Sequence, residues 1–312
     1  ANGTIPCRGA ERRRLVNAFL ATLPRVRETR RTAAAAPSPT DEQLLQPILS
    51  TLTMNNTSLP EPMAQFMNQA EGEFRAVAQN ATMAQLNQAL TSDVTSVCQQ
   101  TIEPAFPFGG GRHVAPATFG QFFGPGGAMD RYYSTYLQPH VTRTSAGLQP
   151  IAGSPIGDRI SRTTLRQFER AEAIRAAFFG SGSPEPQVAM FISHQASSPS
   201  VELAVLTVNG TEVKTRPNDT PAGAVWPGAS TGVMLQLFPQ EDGRPNAQQF
   251  SDGRWAIVDF LRQGGARASG NVATVTHQIG GRSITYRFEF ESTTVPFLMP
   301  ELSDFSCPTS LE

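Results

Sequence analysis

Ser230 lies in the segment Gly-Ala-Ser-Thr-Gly at residues 228–232, which matches the G-x-S-x-G pattern of a hydrolase nucleophile. Asp259 and His277 follow it in the order serine, aspartate, histidine that α/β-hydrolases use. In such a triad the histidine takes the proton of the serine hydroxyl and the aspartate orients the imidazole. These three residues predict, as one alternative, a secreted serine hydrolase.

The neighbours of Ser230 argue against that alternative. The nucleophile pattern needs a strand before the serine and a helix after it. Here Trp226 and Pro227 precede the segment, and the alternating Gly-Val-Met-Leu-Gln-Leu-Phe at 232–238 follows it. Alternation predicts a strand, and a strand after the serine does not build the nucleophile turn. No His-Gly-Gly-Gly segment upstream supplies an oxyanion hole.

The second candidate for chemistry is the glycine-rich stretch Phe-Phe-Gly-Pro-Gly-Gly at residues 122–127. A phosphate-binding loop needs a strand before it and a helix N-terminus after it. The preceding Ala-Thr-Phe-Gly-Gln-Phe-Phe reads as a helical turn, and the chain's single lysine, Lys214, is far away. The stretch therefore predicts a break between two helices, the second packing four side chains inward: Met129, Tyr132, Tyr133 and Tyr136.

Composition and spacing exclude several other classes of function. The net charge is −1 and only 16% of residues are charged, which predicts no nucleic-acid partner. The four histidines show no metal-ligand spacing, so we expect neither a metal nor a cofactor. Residues 1–31 carry eight arginines against two glutamates, a balance of +6. A helix there would face lipid headgroups, an acidic partner or solvent.

The apolar periodicity changes once along the chain. Residues 1–180 predict an all-helical domain, because apolar side chains recur at a period near 3.6. One such stripe is Leu86, Leu90, Val94 and Val97, and another is Leu165, Phe168, Ile174 and Phe178. Residues 181–298 alternate with a period of two and predict a β-sandwich-like domain, and 299–312 form a C-terminal tail. Helices followed by antiparallel strands define an α+β fold.

Turn signals mark the hairpins of the second half. Asn209 and Gly210 separate two alternating runs, the strongest short hairpin signal. Gly280 and Gly281 predict a second hairpin. Residues 251–265 predict a short inserted helix, capped by Ser251 or Asp252 and ended by Gly264 and Gly265.

Four stretches together resemble one protein family. They lie at 119–141, 224–228, 253–261 and 295–311. Their order and spacing are similar to the periplasmic, C-terminal region of the IcmF/TssM proteins of bacterial type VI secretion. The chain departs from that family at Val295, where the family often has asparagine before Pro-Phe. The motif residues carried over are Phe122, Gly124, Pro125, Gly127, Trp226, Pro227, Gly228, Trp255, Cys307 and Pro308.

The resemblance implies a structural module without catalysis, in the periplasmic part of a protein anchored in the inner membrane. Its partners would be an outer-membrane lipoprotein (TssJ-like), bound through the β-domain, and an inner-membrane protein (TssL-like). The full complex would assemble as a ring, and no small-molecule substrate is implied. A third interpretation of the chain is a periplasmic peptidoglycan- or ligand-binding protein without a role in secretion.

The periplasm implied by the resemblance is an oxidising compartment, in which cysteines can form disulfides. Two of the three cysteines could pair in such an environment. A Cys98–Cys307 bond would tie the tail to the helical region. Cys7 could instead pair with Cys98, or all three cysteines could stay unpaired, since sequence does not determine connectivity.

Overall fold

The computed structural model describes residues 63–180, 182–216, 219–239 and 246–312. The predicted basic N-terminal helix and Cys7 lie outside these residues. Two compact units divide the described chain. One holds residues 63–89 with Pro150–Ile160 and Leu311, and the other holds Leu90–Gln149, Ser161–Ser310 and Glu312.

Helices dominate up to residue 180. They are α1 (Met63–Leu90), α2 (Ser96–Thr101), α3 (Pro116–Phe123), α4 (Ala128–Tyr132) and α5 (Arg162–Phe178), with π-helical turns at Thr91–Thr95 and Tyr133–Leu137 and a 3₁₀ turn at Gly157–Arg159. The predicted apolar stripe of α5 is buried as expected. Ser161 caps this helix, because its hydroxyl accepts from the N–H of Thr164 at 3.1 Å.

One predicted stripe is shifted at its end. Leu86, Leu90 and Val94 are buried, but Val97, expected on the same face, is 39% exposed. The π-helical turn Thr91–Thr95 separates these positions. Such a turn holds an extra residue, so the following helix is rotated and Cys98 faces inward instead.

A short hairpin interrupts the helical region that the sequence predicts as all-helical. Its strands are β1 (Val141–Thr144) and β2 (Gly147–Pro150). Arg162 of α5 donates to the carbonyl oxygens of Ala146, at 2.6 Å, and of Leu148. The helical periodicity of this region did not predict these two four-residue strands.

The second half is a two-sheet β-sandwich. A five-stranded antiparallel sheet has the order β6-β3-β11-β10-β9, and a four-stranded antiparallel sheet has the order β5-β4-β7-β8. Inward side chains alternate with outward ones along β11, as the sequence predicts. The strands are β3 (Val188–Ser197), β4 (Val201–Val208), β5 (Thr211–Thr215), β6 (Ala222–Trp226), β7 (Val233–Pro239), β8 (Ala247–Ser251), β9 (Arg267–Ser269), β10 (Val272–Ile279) and β11 (Arg282–Phe290).

Both predicted hairpins are confirmed. β4 and β5 pair around Asn209 (φ 51°) and Gly210 (φ 88°). β10 and β11 pair around Gly280 and Gly281, whose φ angles are 56° and 71°. Two consecutive left-handed residues match the right-handed twist of the flanking strands, which explains why these residue types stand there.

The predicted inserted helix is present as α6 (Ala256–Gln263). Its predicted start is wrong, because Trp255, and neither Ser251 nor Asp252, occupies the N-cap position. Ser251 ends β8, and Asp252 accepts from the N–H of Gly253 at 2.6 Å. The predicted stop is correct, since Gly264 follows the last helical residue.

The chain ends with a 3₁₀ turn (Pro296–Leu298), the short helix α7 (Pro300–Asp304) and an extended tail. The predicted α+β class, with an inserted helix in a β-sandwich, is confirmed. Within residues 63–180 and the later described segments, no helix has the length and apolarity needed to cross a membrane.

Candidate functional site

Ser230 lies in the loop between β6 and β7, and the strand predicted to follow it is present as β7. Its N–H donates to the carbonyl oxygen of Asn209 at 3.2 Å, which ties this loop to the β4–β5 turn. The residue is exposed and is followed by a strand. The turn that a hydrolase nucleophile requires is therefore not built here.

His277 contacts Gln249 and Phe260. Its Nδ1 lies 3.0 Å from Oε1 of Gln249, and its ring stacks on Phe260 with centroids 4.0 Å apart. Only 2% of the residue is exposed. No hydrogen bond among the described residues joins His277 to Asp259 or Ser230, and nothing in the structure supports the hydrolase alternative.

Acidification should destabilise the fold through His277. Burial lowers the pKa of this imidazole from 6.5 to about 4, and the backbone of Phe260 opposes this shift. The folded state thus prefers the neutral ring, whereas the unfolded chain takes up a proton below pH 6.5. We expect about 3 kcal/mol of stability, present in full above pH 6.5, to be lost progressively towards pH 4.

Urea unfolding at a series of pH values measures this loss. The His277→Gln variant replaces the titrating imidazole with an amide that does not titrate, so it should flatten the pH dependence of stability between pH 6.5 and 4. A variant whose profile matches the original would show that another group carries the pH dependence.

The glycine-rich stretch is a helix break. α3 ends at Phe123, Gly124 caps it, and Gly127 is the N-cap of α4. The N–H of Gly126 donates to Oδ2 of Asp130 at 2.8 Å, and Arg175 forms an ion pair with the same carboxylate. The carboxylate of Asp130 therefore already occupies the N-terminus of α4, and Arg175 balances its charge. This helix start offers no binding site for a phosphate.

The inward packing predicted for α4 is present in part. Met129 and Tyr132 are buried, whereas Tyr133 and Tyr136 are only half-buried. The ring of Tyr132 stacks on Phe168 of α5 at 5.7 Å. Desolvation of the buried hydroxyl raises the pKa of Tyr132 well above its usual value.

Two distant motifs meet in one aromatic core. The rings of Trp226 and Trp255 lie 4.5 Å apart, and both side chains are fully buried. Phe119 contacts Trp255 at 5.1 Å, so α3 packs on the same pair. We call this set the aromatic core, and its members are Phe119, Phe178, Trp226, Trp255 and Phe297.

Polar contacts orient the two indoles. Nε1 of Trp255 donates to the carbonyl oxygen of Val114 at 2.9 Å, and its backbone N–H donates to Nδ1 of His113 at 3.1 Å. Nε1 of Trp226 donates to the carbonyl oxygen of Arg254 at 2.5 Å. Sequence reasoning missed His113, because a histidine in a Gly-rich loop has no recognisable spacing to Trp255.

The Trp-Pro-Gly segment makes a close approach of two backbones. The Trp226–Pro227 peptide bond is cis. A Cβ at Gly228 would collide with the carbonyl oxygen of Asn209, so only glycine fits beneath the β4–β5 turn.

Cys98 and Cys307 form a disulfide, with Cα atoms 5.7 Å apart and a sequence separation of 209. The tail around it is also held by hydrogen bonds. Thr95 donates to the carbonyl oxygen of Pro308 at 2.7 Å, and Gln167 accepts from the N–H of Ser306 at 3.0 Å. The disulfide and these hydrogen bonds thus fix the tail to the helices of its own unit.

Phe122 and Phe123 contact Phe305, at the start of this tail. The ring of Phe122 lies 6.0 Å from that of Phe305, and Phe123 lies 5.0 Å from the same ring. The motif residues therefore act as packing and turn residues of a single compact unit. No group of acidic, histidine or cysteine side chains that could hold a metal occurs in the described parts of the chain.

Exposed apolar side chains lie on the sandwich. Phe191 of β3 and Val225 of β6 are 47% and 37% exposed, and Phe250 of β8 is 60% exposed. A cleft of about 520 Å³ opens at the end of β6, lined in part by Pro116, Pro227 and Arg254. Exposed apolar patches of this kind are typical of surfaces that contact a macromolecular partner.

Fold and site together define an α+β protein in which a two-sheet, C2-like sandwich is packed on helices through an aromatic core. Residues 190–292 match the family described as the type VI secretion protein IcmF C2-like domain. The predicted resemblance to the C-terminal region of the IcmF/TssM proteins is confirmed, and residues 190–292 belong to this family's C2-like domain.

A sequence relative and two solved structures agree with this membership. The type VI secretion system component TssM1 of Pseudomonas aeruginosa is 33% identical over 238 residues, which cover 73% of this chain and 21% of that relative. A chain of a type VI secretion system membrane core complex has a TM-score of 0.75 at 16% identity, covering 97% of this chain and 67% of that chain. The C-terminal domain of the T6SS protein TssM from EAEC has a TM-score of 0.61 at 16% identity, covering 73% and 98%.

The chain thus spans about a fifth of the length of the TssM1 relative. The two structural likenesses show the fold. The structural similarity covers the helical part of the chain as well as the sandwich.

Proposed function

We propose that this chain is a non-catalytic, periplasmic module of a type VI secretion membrane complex. Its sandwich, residues 181–298, binds an outer-membrane lipoprotein, and an inner-membrane partner joins the same complex, which closes into a ring. The observation that carries the proposal is the match of residues 190–292 to the IcmF C2-like domain.

The chemistry of the described residues supports a structural role. Among the described residues no hydrogen bond joins the candidate triad residues, and Asp130 and Arg175 occupy the helix start at the glycine-rich stretch. The motif residues around Trp226 and Trp255 are buried in the aromatic core. A function exerted through surfaces fits this arrangement better than one exerted through a pocket.

The disulfide supports the proposed compartment. Disulfides form and persist in oxidising environments such as the bacterial periplasm, and are rare in the cytosol. Cys98 and Cys307 make such a bond between elements that are far apart in the chain.

Calorimetric titration of the full chain against the candidate lipoprotein from the same gene cluster tests the proposal. We expect saturable one-to-one binding. A protein lacking residues 181–298 should not bind, although this loss counts only if circular dichroism shows that its helices remain folded. Absence of binding by the intact chain would contradict the proposed partner.

Ser230 provides a second test of the non-catalytic role. We expect no labelling of the native chain by a fluorophosphonate probe, and no effect of Ser230→Ala on stability beyond about 0.5 kcal/mol, because the side chain is exposed. Labelling that disappears in the Ser230→Ala variant would instead establish the hydrolase alternative.

A further inference from the structure

β6 is an edge strand that lacks the usual protection against pairing. Within its sheet it is hydrogen-bonded only to β3, and β5 of the other sheet approaches it without a backbone hydrogen bond among the described residues. Its five residues are Ala-Gly-Ala-Val-Trp, with no charge, no proline and no bulge. Alternate N–H and C=O groups along its other side can therefore accept a further strand.

Two of the other three edge strands, β5 and β9, carry features that oppose pairing. β5 carries an ion pair between Lys214 and Glu212 at 2.8 Å. β9 has three residues, one of them Arg267. Charge and shortness are the means by which edge strands avoid pairing, so β6 is a better acceptor than either. β8 also lacks charge, and its exposed Phe250 offers a matched control.

The outer side chains of β6 are self-complementary. Gly223 and Val225 face outward, next to Phe191, whose ring lies 3.9 Å from the position of a Cβ on Gly223. Antiparallel pairing of β6 with itself about Ala224 is the register in which all five residues overlap. In that register Val225 of one copy lies opposite Gly223 of the other and covers Phe191.

An ion pair is available in this register. Beyond Trp226 an extended antiparallel course leads the second copy's Asp219 towards the cleft at Pro227, whose charged lining residues are Arg254 and the acidic Glu185. Asp219 and Arg254 are both exposed, and Arg254 forms no ion pair with the described residues. Within the same part of the chain, Asp219 accepts only the N–H of Arg216, at 2.6 Å, through Oδ2.

We propose that two copies of this chain associate through β6, forming one continuous antiparallel sheet across a two-fold axis. Asp219 of each copy pairs with Arg254 of the other. The interface is small, so the dimer is weak in solution and gains strength where several copies are held in one membrane assembly. The proposal concerns self-association and is separate from lipoprotein binding.

Sedimentation velocity of the full chain over a wide concentration range, on the order of 1 to 300 µM, measures the association expected for a small interface. We expect a reversible dimer, whose dissociation constant rises about tenfold or more in Val225→Lys, because charge on an edge opposes pairing. Phe250→Lys, an equivalent change on the other sheet, should leave it unchanged. Hydrogen exchange at 222–226 should slow as the dimer forms.

A charge exchange tests the register. Asp219→Arg and Arg254→Asp should each weaken the dimer, and the double variant should restore it, which a merely structural effect would not do. A chain that stays monomeric throughout overturns the proposal, as does a dimer insensitive to Val225→Lys or disrupted by Phe250→Lys. Protection of 222–226 by the lipoprotein alone would assign this edge to that partner instead and leave the proposed function standing.

Discussion

Replacing Trp255 with alanine should lower the free energy of unfolding by about 4 kcal/mol, the range measured when large aromatic side chains are removed from cores. The indole is completely buried and contacts four aromatic rings of the aromatic core. Its removal leaves a cavity that rigid neighbouring rings cannot fill. It also leaves the carbonyl oxygen of Val114 without its 2.9 Å donor.

Urea unfolding followed by far-UV circular dichroism measures this effect. Trp255→Phe retains most of the apolar volume and loses the indole N–H, so it should cost clearly less than the alanine variant. Phe250→Ala, which removes a 60% exposed ring, should change stability by no more than about 0.5 kcal/mol. If Trp255→Ala were as mild as Phe250→Ala, the aromatic core would not be the packing centre described above.

Removing the disulfide should cost a similar amount, about 4 kcal/mol, in the Cys98→Ala/Cys307→Ala double variant. The bond closes a loop with 209 residues of separation, so its loss greatly increases the entropy of the unfolded chain. In the folded state the tail retains its hydrogen bonds to Thr95 and Gln167. We therefore expect a less stable chain rather than one with a different fold.

Denaturant unfolding with and without a reducing agent checks this prediction. The reducing agent should shift the midpoint of the original chain strongly and that of the double variant little. Thiol titration of the denatured, unreduced chain should give one free thiol of the three cysteines, and Cys7→Ala should abolish it. Three reactive thiols in freshly purified protein would contradict the pairing.

Much of the architecture is determined by local patterns. The change from helical to alternating periodicity near residue 181 predicts the α+β class, because each period puts apolar side chains on one face of one kind of element. The hairpins at Asn209 and Gly280 follow from residues that tolerate positive φ. The family follows from four motifs whose order and spacing survive in the linear sequence.

Predictions from local patterns were wrong where a local irregularity or a contact with a distant segment determines the structure. Val97 was predicted to be buried and is exposed, because a π-helical turn before it rotates the helix. Trp255, rather than Ser251 or Asp252, occupies the N-cap of α6, since its side chain is held in the aromatic core. The strands β1 and β2 are stabilised by Arg162 from α5, a contact that short-range periodicity cannot encode.

The sequence by itself determined the element types, the sandwich hairpins and the family, since these depend on residues close together in the chain. Only the tertiary structure decided that Trp226 and Trp255 share one core, that Cys98 meets Cys307, and that Ser230, Asp259 and His277 make no triad contacts. It also placed β6 at the edge of its sheet, with Phe191 and Val225 outward. Each of these outcomes depends on packing between segments tens to hundreds of residues apart, where many pairings satisfy the same local pattern and the packed core selects one.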